Sequence, residues 1–320
     1  MNKIPLAIET ENITRFFKDV KAVNGISLKI ERGGVYGILG PNGAGKTTLI
    51  RMLATLLNPT SGSGKVMGYD IVTEKETIRR LVSLTGQFAS VDEDLTGLEN
   101  LLLLAKLLGY TGKNAKKRAL ELLSGFGLSD AAKRQVKTYS GGMRRRLDIA
   151  ASIVVRPALI FLDEPTTGLD PRSRNQVWDI IRSLVADGTT VLLTTQYLDE
   201  ADQLAEKIAV IDHGKVIAEG TPSQLKASVG SNVLRLNVND ASQIEKARQI
   251  ITQKINLDVQ TNSDPYLLTV QTENVSAATN LITEITSAGI EISRFSLGQP
   301  SLDEVFLALT GKPVEENNEE

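Results

Sequence analysis

The most constraining stretch of the 320-residue chain is Val35-Tyr-Gly-Ile-Leu-Gly-Pro-Asn-Gly-Ala-Gly-Lys-Thr-Thr48. An apolar run reads as a buried strand, and Leu49 to Leu57 reads as the helix after it. Between them Gly40, Gly45, Lys46 and Thr47 stand at the spacing of a phosphate-binding P-loop. Glycines let the backbone wrap so that successive N–H groups face phosphate oxygens, and the helix N-terminus adds the positive end of its dipole. This assigns a nucleoside triphosphate to Gly40, Pro41, Asn42, Gly43, Ala44, Gly45, Lys46, Thr47 and Thr48. Lys46 is expected on the β- and γ-phosphates and the Thr47 hydroxyl on Mg2+. A strand–loop–helix of this kind belongs to an α/β fold with a parallel sheet.

Further along, Leu159-Ile-Phe-Leu-Asp163-Glu164 is apolar on both faces, as in a strand inside a parallel sheet, and ends in two carboxylates. Open α/β sheets bind ligands at that end of their strands. Asp163 is therefore expected to hold Mg2+, and Glu164 to orient or deprotonate a water. Thr190 to Thr195 reads as the next buried strand, ending at Gln196. Ser140-Gly-Gly-Met143 opens a helix with an N-cap and two uncovered glycines. That is either a second phosphate-facing helix start or an ordinary cap, followed by a solvated basic face at Arg144 to Arg146. Phe17 ends an early strand, Ile8 to Phe17, where a ring could stack on a purine or simply join the core. Ile8 to Phe17 and Ser27 to Ile30 read as short strands, and Lys65 to Met67 resumes as a strand. Thr73 and Glu76 fit a capping box, and Thr96 to Val155 is helical in pattern. In Leu198-Asp-Glu-Ala-Asp202 the acids are read as complements of a helix dipole.

The net charge of −2 points away from nucleic acid as a partner. With no cysteine and one histidine, His213 at a turn, cysteine-based metal sites and disulfides are excluded. The N-terminus shows no signal pattern, and the leucine-rich run Leu101 to Leu108 is too short to span a bilayer. Beyond about Ala227 the order of elements is β-α-β-β-α-β, that of a ferredoxin-like module. Capping boxes are expected there at Ser242/Glu245 and Ser301/Glu304. The final residues, 313–320, are acidic and read as a disordered tail.

In this order the motifs resemble the ATP-binding subunit of ABC transporters over roughly residues 8–220. Gln87 matches the Q-loop glutamine, Tyr139-Ser-Gly-Gly-Met143 the signature, Leu159 to Glu164 the Walker B strand and Gly168-Leu-Asp170 the D-loop. Thr195-Gln-Tyr-Leu-Asp-Glu-Ala-Asp202 and Ser301-Leu-Asp-Glu-Val-Phe-Leu-Ala-Leu-Thr310 resemble the daunorubicin-resistance type, which energises exporters of the ABC-2 class. The resemblance implies an ABC domain over 1–228, with a helical subdomain at about 88–157, and a regulatory or dimerisation domain over 229–312. It also implies a Mg2+-dependent ATPase at the inner face of the cell membrane, docked on a separate multi-span permease and paired with a second ATPase subunit, a homodimer.

Within that dimer Ser140, Gly141, Gly142 and Asp170 are expected against the other subunit's ATP, Phe17 on adenine, and Gln87 near the metal. Gln196 stands where most relatives carry a switch histidine, and Met143 where they carry glutamine. A glutamine can hydrogen-bond a phosphate oxygen or water but cannot titrate. A non-transport ABC ATPase of translation or DNA repair is the alternative. The single P-loop, the short interval between Gln87 and Ser140 and the lack of cysteine argue against it.

Overall fold

Strands that are apolar on both faces have to be covered on both faces, and the computed structural model arranges them so. It describes residues 5–86, 91–229, 232–255, 260–261, 264–272 and 275–311. The chain divides into two compact units, Met1–Thr221 and Pro222–Glu320. Gln87, the start of the expected helical subdomain at 88 and the acidic tail lie outside the described residues.

The first unit opens with β1 (Leu6–Phe17), β2 (Val20–Glu31) and β3 (Val35–Leu39), then α1 (Lys46–Leu53). β4 (Ser61–Val66), β5 (Tyr69–Asp70), α2 (Lys75–Leu81) and β6 (Val82–Thr85) follow. The helical stretch holds α3 (Gly97–Leu107), α4 (Gly112–Gly125) and α5 (Gly141–Ser152). The unit ends with β7 (Leu159–Asp163), α6 (Pro171–Ala186), β8 (Thr190–Thr195), α7 (Leu198–Leu204), β9 (Lys207–Asp212) and β10 (Lys215–Gly220). One sheet runs β10-β9-β3-β8-β7-β6, parallel throughout except for β10, and a second runs β2-β1-β4-β5. Ile8, Ile13 and Ile26 of the second sheet share a buried cluster with Leu49 and Leu53 of α1 and with Ile38, Phe161 and Leu192 of the first. Each such side chain contributes roughly 1.5–3 kcal/mol on burial.

Two local expectations are corrected. The first two strands are not short. Polar Lys21 and Asn24 pair with Phe16 and Thr14, so β1 and β2 form a long hairpin with several register shifts. No capping box forms at Thr73. The Asp70 carboxylate accepts from Val72 N, Thr73 N and the Thr73 hydroxyl at 2.9, 2.9 and 3.0 Å, and with the Thr73 side chain turned onto Asp70 no side-chain bond caps α2. A capping box does open α3, between Thr96 and Glu99.

The second unit holds α8 (Pro222–Ser228), β11 (Asn232–Val238), α9 (Ile244–Ile255), β12 (Gln260–Thr261), β13 (Leu267–Thr272), α10 (Val275–Ser287), β14 (Ile292–Gly298) and α11 (Leu302–Thr310). Its antiparallel sheet has the order β12-β13-β11-β14, which places the first strand between the third and the fourth. Leu234, Leu236, Val238, Leu268 and Val270 pack on Ala247 and Ile251 of α9 and on Leu281 and Ile285 of α10. Neighbouring residues alternate between faces, so Arg235 points the other way, where its guanidinium meets Glu304 of α11 at 2.9 Å. The Ser301/Glu304 capping box is formed. The Ser242 box is not, because Asp240 caps a short 3-10 turn ahead of α9. No described helix is long and apolar enough to cross a membrane.

Candidate functional site

Parallel β3, β6, β7 and β8 end at one edge of their sheet, and the expected site residues follow those ends. The loop after β3 is pressed between β2 and the β9–β10 turn. A Cβ on Gly40 would lie 2.2 Å from the Ile211 carbonyl oxygen. Gly45 has φ 103°, and a Cβ there would lie 2.1 Å from the Ala22 carbonyl oxygen. Gly214 N donates to Ala44 O at 3.0 Å. No side chain caps α1, so its first backbone N–H groups open into this loop. Lys46 is 4% exposed. Its ammonium donates to Gly40 O at 2.8 Å and Pro41 O at 3.0 Å, and pairs with Glu164 at 3.3 Å. Burial pulls the Lys46 pKa below its ordinary value, against the opposing pull of Glu164 and Asp163.

Asp163 is buried at the end of β7. Its Oδ1 accepts from the Thr194 hydroxyl at 2.5 Å and from the Thr47 hydroxyl at 3.2 Å. Glu164 then turns into the left-handed region with φ 48°, uncommon for a residue with a side chain. Its N–H donates to Thr194 O at 3.0 Å, and its carboxylate accepts from the Thr167 hydroxyl at 3.4 Å. Gln196 is buried next to this edge, with its Oε1 lacking a donor. A buried acceptor without a partner calls for a ligand or water to complete it.

The loop fits a nucleotide triphosphate through its cradle and its open donors. Thr47 and Asp163 supply hard oxygens on one side, and Mg2+ takes only one or two protein ligands, the rest coming from phosphate and water. Held there, Mg2+ would supply neutralisation of phosphate charge.

Ser140 caps α5, accepting from Met143 N at 3.3 Å. Asp170 caps α6, with Ser173 N at 2.9 Å and the Ser173 hydroxyl at 2.6 Å, and these bonds hold its carboxyl below the usual range. The two helix starts touch, since a Cβ on Gly142 would lie 2.4 Å from Ser173 Oγ. Among the described residues, no hydrogen bond or ion pair links Ser140, Gly141 or Gly142 to the loop at 40–48. Phe17 is half-exposed at the end of β1, with the Arg15 guanidinium 4.7 Å from its ring centroid. His213 is exposed, its Nδ1 2.8 Å from Asp212.

Two residues escaped the sequence reading. Arg145 is not a solvated base: its guanidinium reaches Pro165 O at 2.9 Å, Gly86 O at 2.7 Å and Asp163 O at 3.2 Å. Glu200 is not helix-end charge either, being wholly buried. It accepts from the Thr166 hydroxyl at 2.8 Å and from Trp178 Nε1 at 3.2 Å. Burial raises its carboxyl above the ordinary range. For Glu200 a signal was present, because it lies four residues before buried Leu204 on the same helix face. For Arg145 there was none.

A family described as ABC transporter matches residues 23–167, and one described as ATP-binding protein DrrA1-3-like, C-terminal domain, matches residues 220–310. A daunorubicin/doxorubicin resistance ATP-binding protein of Streptomyces peucetius is 57% identical, over 100% of this chain and 97% of its own. A Nod factor export ATP-binding protein I of a Rhizobium strain is 32% identical, over 98% of this chain and 100% of its own. Among solved structures, a dimeric ATP-binding cassette in a post-hydrolysis state bound to ADP and Pi aligns with TM-score 0.61 and 27% identity. It covers 67% of this chain and 98% of that one. The chain belongs to the ABC transporter family, as an ATP-hydrolysing, ATP-binding protein of the DrrA-like group.

Proposed function

We propose that this ATPase powers an exporter of drug-like or amphiphilic molecules by closing, as a homodimer, around two ATP molecules while docked on a separate multi-span permease of the ABC-2 class. The observation that carries the reading is the convergence at one sheet edge of the Lys46–Glu164 pair, the Thr47–Asp163 contact and the unpartnered Gln196 oxygen. Relatives named for daunorubicin resistance, linearmycin resistance and Nod factor export support the export direction.

In this reading the loop N–H groups and Lys46 bind the phosphates, while Thr47 and Asp163 hold Mg2+ with Gln87 close by. Glu164 takes a proton from water as the water oxygen bonds to the γ-phosphorus and the bond to the bridging oxygen breaks, releasing ADP. Before that step, Lys46 exchanges Glu164 for phosphate on nucleotide binding, which frees the carboxylate to take the proton. Gln196 orients the water or a γ-phosphate oxygen without changing charge. Ser140, Gly141 and Gly142 of a second copy, with Asp170 beside them, complete the site from across the dimer, and Phe17 stacks on adenine. The unit from Pro222 on adds contacts that stabilise the dimer. The ATPase sits at the inner face of the membrane through its permease.

The test is Glu164→Gln with saturating Mg-ATP on a sizing column with light scattering. The expected species is an ATP-loaded dimer that reverts to monomer when ATP is withdrawn. A variant that binds ATP yet remains monomeric overturns the sandwich. Purification from membranes of the native host should then bring down a stoichiometric chain with about six apolar spans, each of about 20 residues.

A further inference from the structure

Glu164 stands in a left-handed conformation between two peptide carbonyls, those of Asp163 and Pro165, and both accept from one side chain, Arg145. We propose that Arg145, reaching from the signature helix α5, is a positioning residue that clamps the backbone on either side of Glu164 and so aims the Glu164 carboxylate. This rests on Glu164 being the base of the hydrolysis proposed above.

A guanidinium offers five N–H donors in a planar fork, and four find acceptors here. Nε donates to Pro165 O at 2.9 Å and one Nη2 donor to Asp163 O at 3.2 Å. Nη1 serves Gly86 O at 2.7 Å and the Asp148 carboxylate at 3.5 Å. The side chain is only 11% exposed, so these bonds form largely out of water, where a misaligned donor is not replaced by solvent. A left-handed residue with a side chain costs free energy that its surroundings have to offset. Two carbonyls fixed by one rigid group do that at the residue between them. Gly86, bound by the same guanidinium, directly follows β6, so the end of that strand is anchored to the same point. Arg145 touches neither nucleotide nor water in this scheme. It acts through the 163–165 backbone, and α5 thereby gains a rigid connection to the carboxylate end of β7.

Lysine can keep the charge beside Asp148 but cannot fork across two carbonyls. Arg145→Lys is therefore expected to fold and bind ATP with a KM within about threefold of wild type. Its kcat should fall about 10- to 100-fold, the scale of an ångström-level misplacement at a reacting centre. The same substitution in a Glu164→Gln background should lower the residual single-turnover rate by less than about twofold, because the group being aimed is already gone. Arg145→Gln, which keeps two donors, is expected to behave likewise. Full kcat in Arg145→Lys, or an equal loss in both backgrounds, overturns the proposal. If wild type hydrolyses Mg-ATP but Glu164→Gln hydrolyses it as fast, the assignment of the base fails instead, and the two failures are distinguishable.

Discussion

The contact between the starts of α5 and α6 makes a quantitative prediction for Gly142→Ala. The added Cβ would lie 2.4 Å from Ser173 Oγ and 2.6 Å from Ser173 Cβ. Carbon atoms settle at about 3.5–4.0 Å, so the overlap is about 1 Å and falls partly on Cβ, which moves only with the backbone. Overpacking of this kind costs about 1–3 kcal/mol, and replacing glycine in a helix returns up to about 1 kcal/mol. The net loss expected is about 1–2 kcal/mol, or about 2–8 °C in the transition of the first unit. The assay is calorimetric unfolding of the full chain, repeated in a Ser173→Gly background. That second change alone removes the hydroxyl donated to Asp170 and costs about 1 kcal/mol, but it vacates the overlapping atoms. In that background Gly142→Ala should cost less than about 0.5 kcal/mol. An equal penalty in both backgrounds, or no penalty in the wild-type one, refutes the steric argument.

Two further predictions follow from buried polar groups. Glu200 has a folded pKa raised by burial above its ordinary value of 4.5, so its contribution to stability is full below that value and is lost as pH rises through the folded one. Glu200→Gln should therefore gain in melting temperature relative to wild type as pH rises above 4.5, and a difference that stays constant with rising pH refutes it. At Gln196 the wild-type ATPase profile should show no histidine-like limb, whereas Gln196→His should acquire one near about pH 6.5. Superimposable profiles would mean that position 196 does not meet the reacting groups.

Legibility from sequence followed how local the physics was. The glycine loop and the strand Leu159–Asp163 could be read because backbone shape and two-sided burial leave marks in adjacent residues. The second unit's order of elements was equally plain, since its strands and helices alternate in period. Thr73 misled because it satisfies a capping pattern while Asp70, three residues earlier, binds its hydroxyl more directly. Arg145 was invisible for a different reason. Nothing in Arg144-Arg145-Arg146 says which base meets the strand ends: Arg144 pairs with Glu93, Arg145 turns inward, and Arg146 binds Phe126 O. Only the packing of α5 against β6, which brings Arg145 within reach of the Asp163 carbonyl, separates the three.

The strand that carries the glycine loop is also the one that waits longest for its neighbours. The partners of β3, namely β8 and β9, emerge about 150 and about 170 residues after it, which at ribosomal rates of about 5–20 residues per second is about 8 to 34 s. Through that interval an entirely apolar-backed segment has neither parallel edge filled, and such exposed edges are what promote aggregation during synthesis. Slow parallel pairing adds to the delay. A chain cut before Thr190 therefore carries every residue of the loop and neither of the strands that flank β3. For the living cell, the ability to bind nucleotide waits until about two thirds of the chain has been made, when β8 and then β9 close over β3.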